Sequence, residues 1–351
     1  MSTHREWPRW TPRPAPGRGR RRHRVLVLSV CLLVAVVGLL GVGAGGVWWA
    51  TDHYGDRVTR IPHAFPTGPR PEKPHGAGTG GSGGTTFLFA GVDSRSAKPT
   101  TGGEATAALW RFGAQRSDTL MLVHLGPGER TSYTVSLPRD SWVPIPGHGS
   151  AKINAAFSWG GPPLLIQTVE QLTGVRVDHF AVIDWHGFRA LTDAVGGVPI
   201  TVSADSYDPA QGRHFTAGTH VMHGPEALAY VRQRHGLPGG ELDRMKRQQQ
   251  FLRALATEIR GHVRITDPLR VSRMLDAITR TVSVDDRLSN GDLRGLVFGL
   301  RHLTSADTRF TTAPIIRSEM IDRQYVLILD RTALRTLCHR IVTEHPPGTG
   351  K

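Results

Sequence analysis

From Thr85 onward, short apolar runs alternate with amphipathic stretches. Residues 87–92, 119–125 and 133–137 are apolar enough to read as buried strands, the last two joined by a Gly-Pro-Gly turn at 126–128. Leu164, Leu165, Val169 and Leu172 recur at helical spacing and predict a helix over 163–172. Residues 180–183 read as a strand, 185–194 as a helix, and 198–202 as a strand after Gly196-Gly197. Gly224-Pro225 opens a helix with proline in the first turn, where its missing N–H is not needed. The longest amphipathic stretch covers 243–262. Helices at 268–279, 291–303 and 331–342 alternate with strands at 282–284 and 325–329. Strands that are apolar throughout are covered on both faces. The expected fold is therefore α/β, a three-layer α/β/α sandwich with a central mixed sheet.

A different pattern precedes it. Residues 25–50 carry no charge and are rich in Val, Leu and Gly, long enough to span a bilayer of about 20 apolar residues. Arg5, Arg9, Arg13, Arg18, Arg20, Arg21, Arg22 and Arg24 precede the run, and Trp48-Trp49 closes it. The expectation is one transmembrane signal anchor, with a cytoplasmic basic tail at 1–24 and the rest extracellular. A cleaved signal peptide would have a shorter apolar region, about 7–15 residues, ending at small residues. Residues 51–84 are rich in Pro, Gly and charge and read as a flexible linker. Then follow a catalytic domain at 85–262 and a segment at 263–345 that completes it or forms a small appended lobe.

Composition changes this picture in two places. The net charge of +14 in 351 residues would suggest nucleic acid, but half of the excess lies in the N-terminal arginines and no reader element is recognisable. No nucleic-acid partner is expected. The two cysteines, Cys31 in the apolar span and Cys338 in an amphipathic run, cannot pair within one domain, and Cys338 reads as core.

Candidate chemistry clusters between Asp93 and Gln250. Asp93 follows one apolar strand and Asp118 precedes the next, where ligands of open α/β sheets collect. Two carboxylates can hold a Mg2+ that keeps waters and borrows phosphate oxygens; equally, Asp93 is a turn acid and Asp118 a strand-edge cap. Arg95 and Arg116 flank these acids, and Arg139-Asp140 follows Pro138 at another strand end. Arg232 and Arg234, two apart, cannot share one helix face, and both reach one anion if the helix ends near Tyr230. Arg244, Arg247 and Gln248 share a stripe at the start of the long helix, which is an anion-favouring end or a solvated basic face.

Taken in order, Gly-x-Asp-x-Arg, Arg-Ser-Asp, Pro-Arg-Asp, Lys-Ile-Asn, Asp-His, Val-Gly-Gly-Val, Tyr-Val-Arg-x-Arg and Asp-Arg-x-x-Arg-Gln-Gln resemble the LytR–CpsA–Psr family over roughly residues 85–260. The resemblance implies a membrane-anchored phosphotransferase that moves a glycopolymer, teichoic acid or another anionic polymer, from a polyprenyl-pyrophosphate carrier to peptidoglycan. It implies Mg2+, with Mn2+ as a substitute, at Asp93 and Asp118. Pyrophosphate contacts fall to Arg139, Arg232, Arg234 and Arg244 with Gln248, and Lys152 and Asn154 lie near the cleft. Arg95, Arg116 and Arg247 are further candidates. One departure is Glu241, where the family commonly has Asp.

Such chemistry is positioning and charge neutralisation, with Asp140 and Glu241 as candidate bases. An apolar slot for the lipid tail is expected along Phe157, Trp159, Leu164, Leu165 and Val169, which core packing explains as well. A lipid-pyrophosphate hydrolase is the first alternative and a membrane-tethered transcriptional regulator the second. The polymer, the acceptor hydroxyl and the oligomeric state are not legible in the residues.

Overall fold

The computed structural model describes residues 52–73, 84–93, 96, 98–126, 131–264, 268–293 and 308–343. The basic tail, the apolar span and Arg95 lie outside them, as does most of the helix expected at 291–303. Among the described residues no helix is long and apolar enough to cross a membrane.

Among the described residues, fifteen strands and six helices follow one another along the chain. The strands are β1 (Thr59–Ile61), β2 (Thr85–Asp93), β3 (Arg116–Leu125), β4 (Ser132–Leu137), β5 (Trp142–Ile145), β6 (Gly149–Lys152) and β7 (His179–Asp184), then β8 (Val198–Val202), β9 (Ser206–Asp208), β10 (Arg213–Phe215), β11 (Gly218–Met222), β12 (Val282–Asp285), β13 (Thr308–Thr312), β14 (Ile315–Ile321) and β15 (Gln324–Leu329). The helices are α1 (Asn154–Thr173), α2 (Trp185–Ala194), α3 (Gly224–Arg232), α4 (Glu241–Arg264), α5 (Pro268–Thr281) and α6 (Arg331–Thr343).

Seven strands form one sheet in the order β1-β12-β7-β2-β3-β4-β13. It is mixed: β1 with β12, β7 with β2 and β4 with β13 are parallel, the other pairs antiparallel. Alternation along each central strand divides the core. Phe87, Phe89, Met121 and Val123 face α2 to α5, meeting Leu191, Tyr230, Phe251 and Ile278. Leu88, Ala90, Leu120 and Leu122 face α1 and α6, meeting Phe157, Leu165, Leu334 and Cys338. The three-layer α/β/α expectation holds for the described residues. Burial pushes the Cys338 thiol up to about 12, so it is inert core.

Three expectations change, and one open alternative, the role of the C-terminal segment, narrows. The segment read as a linker is folded over its first two thirds. Val58 and Phe65 are buried, β1 extends the sheet, and Arg70 makes a bidentate pair with buried Glu170 and donates to the Val177 carbonyl. The Phe65 ring lies between the guanidiniums of Arg70 and Arg287. Apolar residues interrupted by Pro and Gly carry little periodicity, which is why composition misled. The C-terminal segment is no separate lobe, because β12 and β13 join the central sheet. The strands β8 and β15 lie outside that sheet, pairing only with β11 and β14. The helix expected at 163–172 begins at Asn154 instead. It kinks at Gly160-Gly161, ahead of Pro162-Pro163, whose rings cannot continue the preceding turn. Gly161 has φ 61° with the Trp110 ring against it, so the kink needs glycine.

Candidate active site

At one end of the sheet the chain gathers acids and cations. β2 ends on Asp93, opposite Arg116 at the start of β3. The ladder slips between Gly91 and Val92, whose partners are Thr119 and Ser117, so Asp118 is the extra residue of a β-bulge. Bulges re-aim a side chain, and Asp118 meets Arg139, whose Nη1 donates to Asp118 Oδ1 at 2.7 Å.

Arg139 and Asp140 sit in a turn after β4, closed by Ser141 N–H donating to the Pro138 carbonyl. The β5–β6 hairpin pairs Trp142 with Lys152, which returns Lys152 Nζ to within 2.8 Å of Asp140 Oδ1. Ile153 and Asn154 then donate backbone N–H groups to Ser141 and Arg139, fixing the start of α1. From the other side the first turn of α4 supplies Glu241 and Arg244, ion-paired to each other and almost fully buried.

The electrostatics tie these groups together. Burial pushes the Glu241 carboxyl up against the pull of Arg244 and Arg139. Burial also draws the Arg244 guanidinium down, with Arg139 adding to it and Glu241 and Asp118 opposing. Around Arg139, burial works downward, yet Asp118, Glu241 and Asp140 outweigh it and hold the guanidinium above its usual value. Four buried polar atoms have no hydrogen-bond partner: Arg139 Nε, Asp140 Oδ2, Glu241 Oε2 and Arg244 Nε. Such atoms are uncommon in folded proteins, and four in one cluster make this the most polar unfilled spot of the sheet end, open to water, an ion or a polar ligand.

Below this cluster lies an apolar pocket of about 80 Å3, between β2, β3 and β7 on one side and α2, α3 and α4 on the other. Its rim residues Gly91, Thr119 and Val231 lie within two positions of Asp93, Asp118 and Arg232. Trp185 and Gln248 also line it. The slot predicted on α1 is corrected by this placement: Phe157, Leu165 and Val169 are buried core on the opposite face of the sheet.

The candidate residues therefore separate. Asp118, Arg139, Lys152 and Arg244 meet in one cluster, with Asp140 and Glu241 at its centre rather than its edge. Asn154 is buried beside it. Arg232 ends α3, two residues later than expected, with its guanidinium 5.4 Å from the Trp185 ring centroid. Arg234 follows in extended chain, half-buried, and neither arginine is ion-paired to the cluster's acids among the described residues. Arg116 is exposed. Gln248 donates to the Val231 carbonyl at 3.3 Å. Arg247 points elsewhere: Nη1 to Gln233, Nη2 to Ser206, and the guanidinium over the Tyr230 ring, which makes it part of the frame. Trp185 was missed because a lone aromatic after a strand carries no signal of its own.

For a metal, the described residues hold no group of three or more His, Cys, Asp or Glu side chains. Asp93 and Asp118 on adjacent strands fit an ion that takes one or two carboxylates and completes its shell from phosphate and water.

The protein is thus of the α/β class, with charged groups at strand ends above an apolar pocket. The LytR_cpsA_psr family model matches residues 70–341, and the chain belongs to that family. The match reaches beyond the motif-bearing stretch at both ends. The chain is 32% identical over 268 residues to cell wall biosynthesis protein LcpA of Corynebacterium glutamicum, covering 68% of this chain and 51% of LcpA. It is 39% identical over 141 residues to polyisoprenyl-teichoic acid–peptidoglycan teichoic acid transferase TagU of Bacillus mycoides, covering 40% and 46%. Protein gbs0355 of Streptococcus agalactiae has the same fold, with a TM-score of 0.62, 24% identity and coverage of 73% and 86%. The chain spans about half the length of the curated relatives it matches.

Proposed function

We propose that the protein transfers a glycopolymer from a polyprenyl-pyrophosphate carrier to peptidoglycan, forming a phosphodiester. The observation that carries this reading is the junction of an orphan-rich acid–guanidinium cluster with an apolar pocket. An anionic head and a hydrocarbon tail are the two halves of one substrate, and TagU is named for moving teichoic acid from a polyisoprenyl carrier to peptidoglycan.

In this reading Arg139, Arg244, Arg232 and Arg234 bind the pyrophosphate, exchanging contacts with their carboxylate partners for phosphate oxygens. Asp93 and Asp118 hold Mg2+, or Mn2+ in its place, which when bound neutralises charge on the phosphates. Lys152 holds Asp140 in position. A peptidoglycan sugar hydroxyl attacks the sugar-proximal phosphorus, the bond to the bridging oxygen breaks, and polyprenyl phosphate leaves. Asp140 or Glu241 accepts the hydroxyl proton, and the raised proton affinity of Glu241 suits that role. Residues 25–50 anchor the chain, with the site outside the membrane, where lipid pyrophosphates are the activated donors.

The test uses the full chain in vesicles with Mg2+, labelled lipid-pyrophosphate oligosaccharide and peptidoglycan oligomers. Label joined to peptidoglycan is the expected result. Label found only in free glycan phosphate would replace transfer with hydrolysis.

A further inference from the structure

Trp185 is the one aromatic N–H on the wall of the apolar pocket. It opens α2 directly after β7, at the level where β2 delivers Asp93, since Val92 pairs with Asp184. Asp184 is fully buried, accepts from Thr100 and caps α2 through Gly187 N–H, so the backbone that carries Trp185 is held rigidly. Three observations meet at the indole. It lines the pocket. Its Nε1 is buried without a hydrogen-bond partner. Its ring carries the Arg232 guanidinium, 5.4 Å from the centroid. An indole N–H facing only hydrocarbon would remain unsatisfied, and burying such a donor is costly.

We propose that Trp185 is a positioning residue that reads the junction between tail and head of the lipid substrate. Its N–H donates to an oxygen of the tail-side phosphate, and its ring holds Arg232 over the same pyrophosphate. This rests on the lipid-pyrophosphate reading above. It adds what that reading leaves open: how the site prefers a phosphate attached to a hydrocarbon over a free one. The apolar wall alone would accept any lipid, and the arginines alone any pyrophosphate.

Binding to the full chain in detergent is measured with three probes: farnesyl pyrophosphate, farnesol and inorganic pyrophosphate. The wild type should favour farnesyl pyrophosphate over both others. Trp185→Phe keeps an aromatic ring and removes the donor. It should weaken farnesyl pyrophosphate roughly tenfold or more, the scale of a hydrogen bond to a charged acceptor, while leaving farnesol unchanged. Equal weakening of farnesol would reduce Trp185 to a packing residue and overturn the proposal. Unchanged farnesyl pyrophosphate binding would overturn it too, with the lipid-pyrophosphate reading intact. A wild type with no preference for farnesyl pyrophosphate brings both down. Should the variant not fold, the wild-type protein carrying 15N-indole label reports directly. One indole N–H resonance should move downfield with farnesyl pyrophosphate and stay put with farnesol; no movement overturns the proposal.

Discussion

Arg244 and Arg247 sit one turn apart on α4, are both nearly buried, and are both lowered by burial. Their surroundings differ. Arg247 gives both terminal nitrogens to Gln233 and Ser206 and its flat face to Tyr230 and Phe215. Arg244 has Glu241 and an Nε without a hydrogen bond, and three more such atoms lie on Arg139, Asp140 and Glu241, the first two 3.8 Å apart. A satisfied buried network rigidifies a structure, whereas a partly satisfied one leaves capacity for a further polar group. The same motif thus supplies one arginine to the site and one to the frame, and sequence spacing cannot say which.

The frame side is broken most severely at Arg70. Arg70→Ala leaves Glu170 buried and unpaired, with side-chain exposure of only 2%, and should cost about 3–5 kcal/mol of stability in urea unfolding. A soluble fragment should accordingly start near residue 52, because one starting at 85 loses β1 and this pair.

On the site side, Arg139→Ala or Asp118→Ala should lower transfer on the order of a hundredfold, about 2.7 kcal/mol of barrier. The melting temperature should stay near that of the wild type. An equal fall in both would assign the pair to the frame.

Arg247→Ala sharpens the contrast. It should cost about 1–3 kcal/mol of stability, since Gln233 Oε1 and Ser206 Oγ each lose a charged donor. Activity per folded molecule should be nearly unchanged, whereas Arg244→Ala should lose activity first. The two variants are compared by transfer rate against urea midpoint.

The smallest effect concerns pH. Glu241 has a folded-state proton affinity above its ordinary pKa of 4.5. The native state therefore holds this proton longer than the unfolded state, and stability falls as pH rises above that ordinary value. Glu241→Gln should remove this part of the slope. The urea midpoints of the two proteins should therefore diverge with rising pH, and curves that stay parallel would remove Glu241 from this account.

Much of the central sheet was legible because β2, β3 and β7 each carry an unbroken apolar run, at 87–90, 120–123 and 180–183. The segment at 52–73 was not, because β1 has three residues and its partner β12 lies more than 200 positions away. The hairpin β14–β15 was half visible: Ile316, Met320 and Tyr325 are exposed, so the strands lack the burial pattern that period-two reading needs. In the site, Asp118 and Arg139 stood out through their strand-end positions, while Asp140 and Glu241 looked peripheral. Their central place depends on the β5–β6 hairpin and the start of α4 converging from opposite sides.

The residues alone determined the layer architecture, the family, and the set of acids and arginines from which the site is drawn, since hydrophobic period and motif order are local properties of the chain. Only the tertiary structure decided that Arg247 is frame, that the apolar pocket lies on the α2–α4 face of the sheet, and that the Trp185 indole lines that pocket beneath Arg232. Those outcomes turn on which side chains meet across distant elements and which buried donors are left unpaired, and neither is written in any one stretch of sequence.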